Sequence, residues 1–235
     1  LILLILHFQK DTNLLFLIPI FLFWSLSIFW GSYNINSNFY FNSISKIPEN
    51  SNNFAITFDD GPNEIITPKI LELLEKYDQK ASFFVIGNSA EQNIELLKTI
   101  NSKGHTIGNH SFSHSNFFPT FSTKKVMEEI AKTNKIIESV TLSENIFFRP
   151  PFGVTNPNIA KALKNLKMQS IAWNIRSLDT VKSEKEVFER IKNVKTGDII
   201  LFHDNKENTP VILEKFLRLC NEKQLKSVSL NKILN

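Results

Sequence analysis

The chain has 235 residues, of which 42% are hydrophobic, 21% charged and 11% aromatic, and its formal net charge is +4. That length suits one domain plus a short extension, and the composition excludes a disordered, collagenous or disulfide-rich chain. The single cysteine, Cys220, excludes an intrachain disulfide and a cysteine-rich zinc knuckle, and 27 basic residues scattered among 23 acidic ones leave no nucleic-acid footprint.

No charged residue lies between Asp11 and Lys46. Inside that gap Leu14 to Trp30 reads LLFLIPIFLFWSLSIFW, broken only by Pro19, Ser25 and Ser27. Such a run spans roughly 25 Å as a helix, at the short end of what crosses a bilayer. Trp24, Trp30 and Tyr33 fall near its outer half, where interfacial aromatics are favoured. Residues 1–31 are therefore expected to be a membrane anchor, an N-terminal transmembrane helix. A cleaved signal peptide and a buried core helix are the alternatives. The first finds only a poor cleavage site in SIFWGSY, and the second has few ways to cover an apolar helix at a terminus. Residues 32–52, rich in Asn and Ser, read as a polar linker, and residues 53–235 as the folded domain.

From there strand and helix alternate. Asn53 to Asp59 is an apolar run ending in acid. Thr67-Pro68 supplies a helix start, followed by the stripe Ile70, Leu73, Leu74 and Tyr77. Ala81 to Gly87 reads as a strand. Ser89 and Gln92 form a capping box ahead of Ile94, Leu97 and Ile100, and Gly104 ends that helix. His105 to His110 is a short strand, and Val126 to Val140 a long helix. Asn145 to Arg149 is a strand, Asn156-Pro157 opens a helix, and Gln169 to Ile175 is the next strand. Ser183 and Glu186 cap a helix ahead of the strand Asp198 to His203. Thr209-Pro210 opens the last long helix, and Lys226 to Leu230 closes as a strand. Seven strands with intervening helices imply a parallel sheet. An α/β barrel is preferred to an open sheet, because Asp59-Asp60, His110, Arg149 and His203 all end strands, and those ends converge on one face of a barrel.

His110 and His114, four residues apart, can present both imidazoles on one side of a helical turn. A hydrolytic metal site needs a third ligand and an open position. Asp59-Asp60 is the tandem acid at another strand end. The Asp-Gly-Pro that follows is good turn chemistry, but a turn does not require the second acid, and adjacent carboxylates repel unless a cation neutralises one.

Four segments together carry a resemblance: TFDDGP around Asp59, HSFSH from His110, RPPFG from Arg149 and LFH ending at His203. Their order and spacing resemble the polysaccharide deacetylases, carbohydrate esterase family four, over about Phe54 to Leu230. The resemblance implies a distorted (β/α) barrel of about seven parallel strands. It also implies removal of N-acetyl groups from N-acetylglucosamine-type polysaccharide by metal-activated water. Asp60, His110 and His114 would hold one divalent metal, zinc, with cobalt, nickel or manganese as alternatives. Asp59 would be the general base and Arg149 its partner, lowering its pKa. His203 would be the acid, with Asp179 orienting it. The backbone N–H of Phe152 would face the oxyanion, and Leu201 would line the acetyl-methyl pocket. Arg176 and Thr180 depart from the family pattern Asp-x-x-Asp-Trp, in which Asp179 supplies the second acid.

Two other functions remain open on sequence: an O-acetyl esterase or other non-peptide amide hydrolase on the same metal, and a non-catalytic glycan-binding domain. The expected partners are an N-acetylated polysaccharide or oligosaccharide and a lipid bilayer, with no nucleic acid and a monomeric chain. The expected location is the cell membrane with the domain on the extracytoplasmic side, or secretion if the N-terminal segment is cleaved. His105 and Trp173 read as structural, and Cys220 as a packed thiol on an apolar stripe.

Overall fold

The computed structural model describes residues 17–48 and 53–234. Among these residues nine strands pair in parallel: β1 (Ser43–Ile44), β2 (Asn53–Asp59), β3 (Ala81–Val85), β4 (Thr106–Asn109), β5 (Phe147–Phe148), β6 (Gln169–Ile171), β7 (Ile175–Arg176), β8 (Ile199–His203) and β9 (Lys226–Ser227). Their order is β1-β6-β5-β4-β3-β2-β8-β7, with β9 added beside the start of β2. This is an incompletely closed α/β barrel. The helices are α1 (Leu17–Tyr33), α2 (Ile66–Lys76), α3 (Gly87–Gln92), α4 (Ile94–Ser102), α5 (Thr123–Thr141), α6 (Pro157–Asn165), α7 (Glu184–Ile191), α8 (Thr209–Glu222) and α9 (Asn231–Leu234).

The two-residue period of a strand decides which side chains enter the barrel. On β2, Phe54, Ile56 and Phe58 pack outward under the helices, while Ala55 joins a separate inner cluster with Phe84, Phe147, Ile171 and Ile199. Thr57 and Asp59 share the parity of Ala55. On β8 the outward set is Ile200 and Phe202, which leaves Ile199, Leu201 and His203 on the inner side. Both faces of these strands are buried, which explains their unbroken apolar runs. Phe58 stacks on Phe83 at 5.0 Å and on Phe202 at 5.8 Å beneath α2 and α8. Each fully buried ring of this kind contributes about 1.5–3 kcal/mol.

Several expected elements are redrawn. The strand expected over residues 169–175 is two strands, β6 between β1 and β5 and β7 beside β8, toward opposite ends of the sheet. The break falls at Trp173-Asn174, whose flanks Ala172 and Asn174 donate backbone hydrogen bonds to Ile44 and Ile199. The helix expected from Ser89 begins at Gly87 and is interrupted at Asn93. Thr67 and Thr209 lie inside their helices and do not cap them. The Asn63 side-chain amide oxygen instead accepts from the N–H of Ile65 and Ile66. Asn156-Pro157 and the Ser183–Glu186 capping box form as expected.

The N-terminal segment also differs from expectation. Among the described residues no helix is long and apolar enough to cross a membrane. α1 has 17 residues, or roughly 25 Å of helix against a hydrocarbon core of about 30 Å. Leu14 to Phe16, which begin the expected span, lie outside the described residues. Nor is α1 a core helix: Phe21, Phe23, Trp24, Phe29 and Trp30 are exposed and only Gly31 is buried. Its C-terminal end is docked. Thr155 donates its N–H to the Ser32 carbonyl and its hydroxyl to that of Gly31, at 2.8 and 2.9 Å. Much of the stretch read as a linker is folded onto the barrel. β1 extends the sheet beside β6, Ile47 is buried, and Asn36 donates to the Trp173 carbonyl at 3.0 Å. Residues 49–52 of that stretch lie outside the described residues.

Candidate active site

The register of the sheet assembles the site. Asp59 ends β2 opposite His203, which ends β8. Asn109 ends β4 opposite Phe148 of β5, so His110 and Arg149 leave the sheet side by side. These strand ends surround a cavity of about 200 Å³ lined by Asp59, Asp60, His110, His114, Phe152, Gly153, Trp173, Arg176, Thr180, Leu201 and His203.

Asp60, His110 and His114 each offer a donor atom, and the three lie within 4.8 Å of one another. His110 Nε2 is 3.7 Å and His114 Nε2 3.5 Å from Asp60 Oδ1. His110 Nδ1 meets the Arg149 carbonyl at 2.7 Å, which assigns its proton and leaves the Nε2 lone pair facing Asp60. Burial, reinforced by neighbouring His114, pushes His110 down to about 3, so this imidazole is neutral. One carboxylate and two imidazoles in this arrangement fit a divalent cation and leave positions open for water.

The helical turn expected for His110 to His114 is a loop. Ser111 and His114 have φ of 66° and 45°, conformations that cost a non-glycine residue about 1 kcal/mol or more. Side chains outside the motif hold it there. Glu129 on α5 accepts from the N–H of Phe112 and Ser113 and from the Ser113 hydroxyl, at 3.1, 2.8 and 2.9 Å. Asn109 Oδ1 accepts from the Ser111 N–H, and Ser111 Oγ from the His114 N–H.

Asp59 is buried beside this cluster. Arg149, fully buried, donates Nη1 to Asp59 Oδ1 at 2.6 Å and to Thr57 Oγ1 at 2.9 Å. Its remaining donors reach the carbonyls of Ile171 and Ala172, each at 3.0 Å. Asp59 Oδ2 lies 3.7 Å from His110 Nε2. The expected lowering of the Asp59 pKa by Arg149 is real as a contribution, but burial outweighs it and the net shift is upward. A divalent cation beside it would pull it back down.

His203 enters from the other side. Its Nδ1 meets Asp179 Oδ1 at 2.8 Å, and its N–H donates to Asp179 Oδ2 at 2.8 Å. Ser177 and Thr209 hydroxyls also donate to Asp179, both at 2.9 Å. Burial pushes His203 down, but the hydrogen bond and charge of Asp179, with Asp59 and Asp60 adding, leave it raised. Burial likewise raises Asp179, and its bonds to His203 and Thr209 overcome that, so it is held low as a carboxylate.

Residues 46–171 match the family model for polysaccharide deacetylase. The chain belongs to the polysaccharide deacetylase family. It is 33% identical over 196 residues to a peptidoglycan-N-acetylglucosamine deacetylase of Bacillus cereus, covering 80% of this chain and 91% of the relative. A chitooligosaccharide deacetylase of Azorhizobium caulinodans is 29% identical, over 68% of this chain and 77% of its own. The solved structure of the peptidoglycan deacetylase PdaC from Bacillus subtilis superposes with a TM-score of 0.73 at 28% identity, over 80% of this chain and 92% of that one. The polysaccharide deacetylases are hydrolases acting on N-acetyl groups of polysaccharides, and they use a divalent metal.

Every site residue expected from the sequence lies at or beside this deacetylase cavity. Phe152 has φ 61° and packs edge-on to His114 at 4.7 Å, and Leu201 lines the floor. Other residues were not anticipated. Trp173, expected in the core, lines the cavity, and its indole edge fills the space that a Cβ on Gly153 would need. Thr67 and Thr209, expected to open their helices, bond the carboxylates of Asp204 and Asp179. Asp204, beneath Gly61, is pushed up to about 7 by burial. Its place beside His203 and the Thr-Pro spacing were the available signals. His105 is structural as expected: Nδ1 accepts from the Ala81 N–H at 3.1 Å.

Proposed function

We propose that this protein deacetylates N-acetylglucosamine units of a cell-wall or extracellular polysaccharide, with Asp59 as base and His203 as acid. One observation carries the reading. Asp59, clamped by Arg149, and His203, clamped by Asp179, face the same cavity beside the Asp60–His110–His114 cluster. A site that only held a metal or a glycan would need neither clamp.

Asp60, His110 and His114 would hold the divalent ion, for which zinc suits two imidazoles and a carboxylate. Bound there, it supplies Lewis acidity toward the acetyl carbonyl and toward water. Asp59 takes the proton from the attacking water at Oδ2, since Oδ1 is occupied by Arg149. The N–H of Phe152 faces the developing oxyanion. Leu201 packs against the acetyl methyl. His203 presents Nε2, its Nδ1 being held by Asp179, and gives a proton to the departing sugar amine. A raised His203 suits an amine leaving group. An ester's alkoxide departs with less protonation than an amine does, and a raised pKa keeps His203 protonated over a wider pH range, which favours the amide over O-acetyl hydrolysis.

The reading carries a location. A deacetylase of wall glycan works on the extracytoplasmic side, and the exposed apolar face of α1 is the segment suited to a lipid surface. Membrane fractionation with protease protection of the full chain tests this, and a soluble, protease-shielded protein would refute it. For the activity, the full chain is incubated with zinc and an N-acetylglucosamine oligomer or peptidoglycan, and acetate is measured. Release that disappears in Asp59→Asn and His203→Ala supports the reading. No release from any such glycan overturns it.

A further inference from the structure

The two residues after His203 reach across to the metal cluster. β2 and β8 end in register, with Asp59 opposite His203, so the turn that follows β8 runs beside the turn that follows β2. Asp204 donates its N–H to the Asp59 carbonyl at 3.2 Å. Its carboxylate, held by the Thr67 hydroxyl at 2.6 Å, fills the place of a Cβ on Gly61. Asn205 meets Asp60 itself, donating Nδ2 to Asp60 Oδ2 at 3.3 Å. The other oxygen of that carboxylate, Oδ1, faces the imidazoles of His110 and His114. The two oxygens of Asp60 are thus divided between an amide and the metal cluster.

Asp60 needs such a partner. Its φ of 77° is left-handed, which is uncommon for a residue other than glycine, so contacts from outside the turn fix where its carboxylate points. Asn205 is a poor filler of its place. Its Oδ1 is buried, and no donor among the described residues reaches it. Burying an oxygen unpaired is unfavourable, and turning the amide over would set oxygen against oxygen at Asp60. We propose that Asn205 is a positioning residue for the metal site: it holds Asp60 Oδ2 and leaves Oδ1 alone to bind the ion. Binding through one oxygen keeps open a position that a two-oxygen grip would occupy. This rests on the reading of Asp60, His110 and His114 as the ligands, and it adds what sets the manner in which the carboxylate binds.

The test is the zinc affinity of the full chain, by competition with a chromophoric chelator, for the wild type, Asn205→Leu and Asn205→Ala. Leucine keeps the volume and removes the donor. Both variants should bind zinc about tenfold more weakly, the low end for an outer partner of a metal ligand, as suits a long bond at a half-buried residue. The cobalt-loaded chain gives a readout that packing alone would not move. With Oδ2 released to bind, the coordination number of cobalt should rise and its visible bands should weaken in both variants. Urea midpoints measured under chelation should change little. Unchanged zinc affinity, tighter zinc, weaker zinc with an unaltered cobalt spectrum, or loss of the fold in both variants each overturn the proposal. His114→Ala separates it from the reading on which it rests. If His114→Ala loses zinc while both Asn205 variants keep full affinity, the ligands stand and the positioning role is refuted. If the wild type binds no zinc, both readings fall.

Discussion

Arg149 and Asp59 form an ion pair at 2.6 Å in which both side chains are buried. The guanidinium has no route to water, and four of its contacts are to Asp59, Thr57 and two barrel carbonyls. Removing it leaves a buried carboxylate uncompensated, at about 3–5 kcal/mol. Arg149→Met should lose that much stability in urea titrations. It also removes the chief influence that lowers Asp59. The acid limb of the pH–rate profile should therefore move to higher pH in whatever activity the variant retains.

Asp179→Asn acts on the opposite limb. The mutation deletes the hydrogen bond and charge that raise His203, while the burial that lowers it stays. The His203 imidazole should titrate at lower pH, visible by NMR, and the alkaline limb of acetate release should follow it down. Acetate release should fall by about 10²–10⁴-fold if the acid's contribution is lost. An unmoved His203 titration would show that Asp179 does not tune it.

Zinc should stabilise the folded protein. Binding at a hundred times the dissociation constant contributes about 2.7 kcal/mol, so Tm should rise with zinc in the wild type. His114→Ala should show little rise. Chelation of the wild type should silence acetate release, and zinc should restore it.

His105 makes a stability prediction with a definite sign. Burial, with Lys80 and Lys103 adding, pushes it from its ordinary 6.5 down to about 4. The unfolded chain thus binds a proton that the folded chain refuses between those values, so stability is full above about 6.5 and is lost as pH falls toward about 4. His105→Ala, which also removes the acceptor for Ala81, should cost about 1–2 kcal/mol at pH 7. It should flatten the dependence of the urea midpoint on pH across that window.

Cys220 is packed on α8 with its thiol pushed up to about 12 by burial. Thiol reagents should reach it only after unfolding. Rapid modification of the native chain would contradict this packing.

The sequence made the site legible because its chemistry sits at strand ends, where the residue types stand out against apolar runs. Asp59, His110, Arg149 and His203 could be gathered on one face for that reason. The break at Trp173 was hidden, because an exposed cavity wall and a buried strand can carry the same apolar letters. Thr67 and Thr209 read only as helix starts because a Thr-Pro pair looks the same whether its hydroxyl turns to its own helix or to a distant carboxylate. The net rise of Asp59 was also invisible, since a neighbouring arginine can be inferred from a motif but the depth of burial cannot. The expected span begins at Leu14, outside the described residues; its described part is a helix of 17 residues whose last turn, at Gly31 and Ser32, is docked on the barrel.

That last junction has a mechanical consequence. Thr155 grips the final turn of α1 three residues after Phe152 and two after Gly153, which abuts Trp173. The apolar helix and the loop that lines the cavity are thus joined like a handle and a blade. A surface that seized the handle would set, through the two hydrogen bonds of Thr155 to Gly31 and Ser32, the angle at which the cavity is presented.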